Sequence, residues 1–239
     1  MFTYMSSIEE AVTYPMESDD WLKTVLIGGA MLLFSFLLIP AFIAYGYMIR
    51  AIQASLDGEP EPPAFGDWGG LIVDGLKAFV IGIAYLLIPI IVFAVTVGGA
   101  IVGMATGGQT GAAAGAGTLI LGMLVFLVLS LVFGYFAAVG LVNFAREEQF
   151  GAAFDFGVIK SVGLDSDFAV PWLISVGVFL GVSVITGVLN VIPGLGAIVG
   201  VFLNFYALIV AANLWAGGFN EASDGGSTAG RTGVEETPA

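Results

Sequence analysis

The chain alternates between long apolar runs and short polar segments. Its six basic and 19 acidic residues fall into four groups, within residues 1–23, 50–77, 146–167 and 221–239. Between these groups lie three runs without any charged residue, Thr24–Ile49, Ala78–Ala145 and Phe168–Asn220. A membrane-spanning helix needs about 20 apolar residues. The first run therefore has the length of one span, and each of the other two has the length of a helical hairpin.

Glycine and proline mark the turns within the two longer runs. Ala105–Gly117 is rich in glycine and alanine, which argues against a helix there, and Ile192-Pro193-Gly194 is a turn signal. The sequence therefore predicts an all-α transmembrane bundle of about five spans with short interfacial helices. The predicted spans are residues 24–49, 78–104, 118–145, 170–190 and 195–215. Pro40 and Pro89 predict kinks, because proline removes a backbone donor inside a helix.

Residues 1–218 are predicted to form one integral membrane domain. Residues 219–239 are rich in Gly, Ser, Thr and Glu and are expected to form a disordered acidic cytoplasmic tail. The first 20 residues contain five acids and no base, the reverse of a secretory signal peptide. We therefore expect the first span to remain in the mature protein.

Basic residues indicate the orientation in a cell membrane. With five spans, Arg50, Lys77, Arg146, Lys160 and Arg231 all lie on one side, and only Lys23 lies on the other. Cytoplasmic loops carry an excess of lysine and arginine. The expected orientation therefore has the N-terminus outside and the C-terminus in the cytoplasm.

Composition narrows the classes of function. The chain is 58% hydrophobic and 10% charged, with a mean hydropathy of +1.01, whereas a soluble domain is about a quarter charged. A net charge of −13 argues against binding nucleic acid. The chain has neither histidine nor cysteine, which removes imidazole bases, thiol nucleophiles and nearly every transition-metal site. We expect no enzyme activity, no cofactor and no metal.

Polar residues inside the spans leave two interpretations open. The charge-free runs contain no Asp, Glu, Lys, Arg or His, and ion-coupled transporters usually place such groups near the membrane midplane. The remaining Asn, Thr and Ser residues could form hydrogen bonds between helices. They could also line a path for an uncharged solute.

Small residues and surplus acids suggest two further features. The glycine pairs Gly99/Gly103, Gly177/Gly181 and Gly196/Gly200 would let helices pack closely, within one chain or between copies. The acids at Asp57, Glu59 and Glu61, or at Asp165 and Asp167, could bind a cation, but neither set has the spacing of a calcium loop. Adaptation of exposed loops to high salt explains the surplus of acids more simply.

Similar stretches recur along the chain. Residues 64–77 and 153–167 both begin Ala-Phe, and aligning Phe42 with Phe136 also aligns Gly46 with Gly140. Tyr135-Phe136-Ala137 with Asn143 resembles Phe205-Tyr206-Ala207 with Asn213. The repeats suggest a unit of an interfacial helix followed by a hairpin, although membrane composition alone could produce them. Repetition would place residues 7–14 on the cytoplasmic side, which five spans forbid unless the first segment is broken near Pro40.

One block carries a resemblance to a known family. It joins a span end at Gly46-Tyr47-Met48-Ile49-Arg50, an acidic turn at Asp57-Gly58-Glu59, and Asp67-Trp68 followed by Asp74-Gly75-Leu76-Lys77. In these features the chain resembles archaeal polytopic membrane proteins, common in halophiles, that are known as domain of unknown function 4013. The resemblance implies an integral membrane protein without an assigned activity. The motif residues are Gly46, Tyr47, Arg50, Gly58, Glu59, Phe65, Asp67, Trp68, Asp74, Gly75 and Lys77.

The sequence favours a non-enzymatic membrane component that packs with itself or with a partner. The alternative is a passive channel or carrier for a small neutral solute or lipid. The expected partners are membrane lipid and either a second copy or another membrane protein, without nucleic acid.

Overall fold

The computed structural model describes residues 9–231, with side chains for residues 9–108 and 110–224. Every regular element in this part of the chain is a helix, so the predicted all-α class is confirmed. We number the α-helices from Trp21 onwards. They are α1 Trp21–Leu33, α2 Ile39–Leu56, α3 Trp68–Thr106, α4 Gly108–Glu147, α5 Phe156–Gly163, α6 Ser166–Leu189 and α7 Leu195–Arg231.

Four helices are long and apolar enough to cross a membrane, which indicates a multi-pass membrane protein. They are α3, α4, α6 and α7, and they contain the predicted spans 78–104, 118–145, 170–190 and 195–215 except for Asn190, which follows the end of α6. The shortest, α6, has 24 residues and is about 36 Å long at about 1.5 Å per residue. Pro89 lies inside α3, whose helix continues through it.

The first predicted span, residues 24–49, is divided into two helices. α1 ends at Leu33, the chain turns through a short 3₁₀ helix at Ser35–Leu37, and Leu38 has a φ of 63°. Pro40 then occupies the first turn of α2, where its missing N–H costs nothing because that turn has no intrahelical acceptor for it. The segment is therefore a short helical hairpin, and the break precedes the proline.

The described chain divides into two compact units. The main unit comprises the described parts of Met1–Phe79 and Ala138–Ala239, and the hairpin unit comprises Val80–Ala137. In the main unit α7 packs against α1, α2 and α6. Phe205, Val210 and Phe219 of α7 are fully buried. The last helix is thus the centre of the main unit.

Hydrogen bonds tie several helix ends together at what we call the polar end of the main unit. It comprises residues 9–24, 50–77, 143–167 and 213–224. The Gln53 amide donates to the Ala145 carbonyl (3.1 Å), Asn213 donates to the Ser55 hydroxyl (3.2 Å), and Asn220 donates to the Leu56 carbonyl (3.1 Å). These bonds join the end of α2 to α4 and α7.

The glycine- and alanine-rich segment 105–117 is helical almost throughout, which corrects the predicted turn. Only Gly107 separates α3 from α4, and Gly108, the first residue of α4, has a φ of 58°. A methyl group added at Gly111 would lie 2.4 Å from the Gly103 carbonyl oxygen, and one at Gly115 would lie 2.8 Å from that of Ala100. These glycines therefore allow the two arms of the hairpin unit to approach closely.

The predicted boundary of the tail, between residues 218 and 219, falls inside α7. Phe219 and Ala222 are buried, and Asn220 is bonded to α2. The rest of the predicted tail, residues 232–239, lies outside the described residues. Asp155 and Asp165 accept hydrogen bonds from backbone N–H groups at the starts of α5 and α6, so both act as N-caps.

Candidate functional site

The motif of residues 46–77 forms one corner of the polar end, where α2 crosses α3. A methyl group at Gly46 would lie 1.9 Å from the Leu71 carbonyl oxygen, and one at Gly75 would lie 1.7 Å from that of Phe42. Backbone meets backbone here, and only glycine leaves room for it. The two motif glycines therefore set the distance between the helices that carry the other motif side chains.

An aromatic stack holds the connection between α2 and α3 in place. The Tyr47 ring stacks on Phe65 with 4.4 Å between centroids, and Phe65 lies 5.7 Å from Trp68 and 6.0 Å from Phe205. The buried Tyr47 hydroxyl donates to the Pro63 carbonyl oxygen at 2.9 Å. The stack joins three motif residues to α7.

The charged motif residues form one network. The Arg50 guanidinium lies 2.8 Å from the Asp67 carboxylate and 3.8 Å from that of Asp74, and Asp74 lies 3.8 Å from the Lys77 ammonium. Lys77 also lies over the Phe144 ring, 5.7 Å from its centroid, at the range of a cation–π contact. Both motif cations are therefore neutralised within the motif.

Asp67 adopts an unusual backbone conformation that serves this network. Its φ is 42°, a region that residues other than glycine seldom adopt. There the carboxylate accepts hydrogen bonds from Arg50 and from the Gly70 N–H, at 2.8 and 3.2 Å. The Arg50 hydrogen bond, and then the Gly70 N–H, hold the pKa of the Asp67 carboxyl below its usual value.

The remaining motif residues end α2. Gly58 has a φ of 73°, which glycine adopts without strain. The Glu59 N–H donates to the Ala54 carbonyl at 2.9 Å, and the Gly58 N–H donates to that of Ser55 at 3.2 Å. This pair of bonds is the arrangement that commonly closes a helix at a glycine. It turns the chain so that Glu59 faces the cavity described next.

The motif borders a cavity of about 450 Å³. Arg50, Lys77, Asp74 and Glu59 contribute from the motif, and Gln53, Asp57, Phe144 and Glu148 line it from α2 and the end of α4. The cavity is large enough for a small polar solute. The described residues contain no group of three or more acidic side chains placed to hold a metal ion, so the acids at Asp57, Glu59 and Glu61 do not form such a site.

The three predicted glycine pairs differ in their surroundings. A methyl group at Gly196 would lie 2.4 Å from the Thr186 carbonyl oxygen, and one at Gly200 would lie 2.8 Å from the Thr186 methyl carbon. This pair is used where α7 packs on α6. Nothing lies within 4 Å of a methyl group at the other four positions, Gly99, Gly103, Gly177 and Gly181.

Sequence reasoning missed several residues that build the polar end. Gln53, Phe144 and Asn220 were not singled out, although each makes a contact between helices there. A polar residue in the last turn of an apolar helix was the available signal for Gln53, and an asparagine shortly after the predicted span 195–215 was the signal for Asn220. Phe144 had no such signal, because aromatic residues are common at span ends.

Comparison with known proteins supplies the family. Residues 33–191 match the model of the family described as "Protein of unknown function (DUF4013)". No curated protein and no solved structure matches the chain. The matched region contains the whole motif, the break before Pro40 and the hairpin unit. Because the match extends over more than half of the 239 residues, the chain belongs to this family of proteins of unknown function.

Proposed function

We propose that the protein is a non-enzymatic membrane component that associates, through open glycine faces of its spans, with a second copy or with another membrane protein. The difference between the glycine pairs carries this proposal. Gly196 and Gly200 are used inside the chain, whereas Gly177 and Gly181 are exposed on α6 with nothing beside them. Small residues four apart allow close helix packing in lipid, where packing drives association.

The hydrogen bonds of the spans support this role over that of a solute carrier. The hydroxyls of Thr96, Ser183 and Thr186 donate to carbonyls of their own helices, at 2.7, 2.8 and 2.7 Å. The Asn204 amide does the same, to the Gly200 carbonyl at 2.8 Å. The three hydroxyl donors are therefore engaged within their own helices, and the Asn204 amide keeps one N–H for any further partner. A neutral solute or lipid that copurifies with the protein would favour the carrier instead.

The proposal does not invoke catalysis or a cofactor. The described charged side chains lie at the polar end, where Arg50 and Lys77 are paired with carboxylates. The sequence contains no histidine or cysteine to act beside them. A structural or adaptor role therefore accounts for the observed groups with the fewest additional assumptions.

We also propose that the polar end faces the cytoplasm, including its N-terminal part. The Tyr206 hydroxyl donates to the Val12 carbonyl, and Asp20, Lys23 and Thr24 line a small cavity with Phe65 and Trp68. Lys23 thus lies at the same end as the other described bases, which favours that side as cytoplasmic. This proposal differs from the orientation expected from five spans, in which the N-terminus lies outside. If α1 and α2 form a hairpin that does not cross the membrane, residues 9–23 and 213–224 lie on the same side.

The orientation can be tested by cysteine labelling, since the chain has no native cysteine. Asp19→Cys marks the polar end and Val191→Cys marks the turn between α6 and α7, where Val191 is 85% exposed. A membrane-impermeant maleimide added to intact cells should label Val191→Cys, and should label Asp19→Cys only after lysis. Labelling of Asp19→Cys in intact cells would overturn the orientation.

The association is tested by native mass spectrometry in mild detergent and by crosslinking in the membrane. The double variant Gly177→Leu/Gly181→Leu should lose the oligomer or the copurified partner while keeping its fold. Gly187→Leu is the matched control, because Gly187 also has open space around it but lies on another side of α6. A wild-type protein that is monomeric and without partner polypeptide in both measurements would contradict the proposal.

We further propose a source that is rich in salt, as the resemblance suggests. The net charge of −13 supports this, because at about 1 M salt the Debye length is about 3 Å and crowded acids repel one another little. The thermal midpoint in detergent should rise between 0.1 and about 2 M potassium chloride. A flat or falling midpoint would contradict it.

A further inference from the structure

The short helix α5 exposes two large apolar side chains at the polar end. Phe156, its first residue, is 81% exposed, and Leu164, which directly follows its last residue, is 72% exposed. Among the described residues of the polar end, no other large apolar side chain is as exposed as these two. They therefore contribute nothing to the packing of the chain on itself.

The two apolar side chains share one face of α5 with a lysine. Consecutive residues of an α-helix are rotated by about 100°, so Phe156, Lys160 and Leu164 follow one another in steps of about 40°. The row is about 12 Å long at about 1.5 Å per residue. Lys160 is exposed and forms no ion pair with any described residue. We call these three residues the outer face of α5.

The opposite face of α5 is held by the main unit. Ile159 and Val162 are buried, and the helix packs against α6 and α7. At its start the Asp155 carboxylate accepts hydrogen bonds from the Gly157 and Val158 N–H groups, at 2.8 and 3.2 Å. The chain itself therefore fixes α5, and a contact made by the outer face does not have to supply the free energy that orders the helix.

The place of α5 in the chain puts it beside the bilayer. It connects α4 and α6, two helices that are long and apolar enough to cross a membrane. Only residues 148–165 lie between them, and most of these residues are helical. So short a connection cannot extend far from the membrane surface. α5 therefore lies near the level at which lipid headgroups and acyl chains meet.

The chemistry and the size of the outer face favour lipid over a protein partner. Interfacial helices bury apolar side chains at the headgroup boundary, and a lysine between them can extend its ammonium to the headgroups. A buried aromatic side chain contributes about 150–250 Å², so one phenylalanine, one leucine and one lysine offer about 500 Å². A specific protein interface takes about 800 Å² from each partner.

We propose that the outer face of α5 contacts the bilayer. Phe156 and Leu164 lie among the upper acyl chains, and the Lys160 ammonium lies at a lipid phosphate. The contact anchors the connection between α4 and α6 to the membrane surface. It is independent of the proposed association, because Gly177 and Gly181 take no part in it, and of the side of the membrane that the polar end faces.

Fluorescence quenching in vesicles tests the contact. Because the chain has no native cysteine, Phe156→Cys and Leu164→Cys of the full chain can each carry one bimane label. In phosphatidylcholine vesicles, bromine on the acyl chains near the headgroup should quench both labels, and iodide in the water should not. Glu61→Cys is the matched control, because Glu61 is exposed in the acidic connection between α2 and α3. Iodide should quench that label and the brominated lipid should not.

A label at Ser161→Cys tests the same contact with the outer face intact, since Ser161 is exposed beside it. Brominated lipid should quench this label less when Phe156→Gln and Leu164→Gln are both added. Both replaced side chains are exposed, so the fold is retained. Lys160→Glu should also reduce the quenching, because a carboxylate is repelled by lipid phosphate, whereas Lys160→Arg should leave it unchanged.

Three results would overturn the proposal. Labels at residues 156 and 164 that are quenched by iodide and not by brominated lipid would place the outer face in water. Labels that neither agent quenches would show that protein covers the face, either a second copy or another chain. Equal lipid quenching of the Ser161→Cys label with and without the two glutamine substitutions would show that the face does not hold α5 at the bilayer.

Discussion

α7 and the two arms of the hairpin unit are both apolar helices, yet they differ in how much they bury. In the most apolar window of α7, 44% of the residues are buried inside the chain, against 17% for α3 and 6% for α4. α7 packs against α1, α2 and α6, while most of α3 and α4 is not buried by the chain itself. Hydropathy therefore identifies a membrane helix, but the placement of glycine and polar residues decides what the helix touches.

The largest expected effect on stability comes from comparing substitutions at a buried glycine and at an exposed one. Gly46→Ala places a methyl group 1.9 Å from the Leu71 carbonyl oxygen and should cost about 3 kcal/mol in the free energy of unfolding through overpacking. Gly99→Ala meets nothing within 4 Å and should gain up to about 1 kcal/mol from helix propensity. Reversible unfolding by SDS in mixed micelles measures both. Equal midpoints for the two variants would contradict the assigned crossing of α2 and α3.

A smaller effect on stability should distinguish a hydrogen bond between two helices from a hydrogen bond within a single helix. Asn220→Ala removes the donor to the Leu56 carbonyl and should cost about 1–2 kcal/mol, because it leaves a partly buried acceptor unpaired. Ser183→Ala removes a bond to the Phe179 carbonyl of the same helix and should change stability by less than about 0.5 kcal/mol. The same unfolding assay compares them, and a larger loss in Ser183→Ala would be inconsistent with the structure.

The smallest effect is a pH dependence confined to the polar end. The pKa of Asp67 is lowered in the folded chain from 3.8. Its contribution to stability is therefore complete above that value and is lost as the pH falls through the lower, folded pKa. Asp67→Asn should be less stable than wild type at pH 6, and the gap should close on acidification. The charge-free hairpin unit offers no acid or base of this kind. A gap that persists unchanged below pH 2 would contradict the role of the Arg50 pair.

Sequence reasoning succeeded where one property decides the structure. Charge-free length, divided at the glycine and proline signals, placed α3, α4, α6 and α7, since a bilayer admits only helices or closed barrels. The prediction was wrong at Ala105–Gly117. The high glycine content of this segment favours a turn, whereas the spacing of its glycines, four residues apart, is typical of a helix face that packs closely. Sequence reasoning also left the break before Pro40 open, since proline is compatible both with a kink and with the first turn of a new helix.

The candidate site was predicted in part. The motif residues were found as a block, but the sequence did not show that Gly46 meets the α3 backbone or that Asp67 pairs with Arg50. Those contacts depend on a crossing of helices and on the positive φ of Asp67, and neither follows from residue order. Asn143 was seen only as half of a repeat with Asn213. Its hydrogen bond to the Ala152 carbonyl oxygen depends on the fold of residues 148–155, which no local pattern specifies.

The contacts between α2 and α7 have a consequence for the order of assembly. Tyr47 with Phe205, and Ser55 with Asn213, join residues that are 158 positions apart in the chain. Contacts so distant in sequence form late, after the loop between them has been ordered. During synthesis the contacts of Tyr47 and Ser55 with α7 therefore cannot form until almost the whole chain has been made. A chain that ends before Phe205 would lack most of α7, the helix against which α1, α2 and α6 pack.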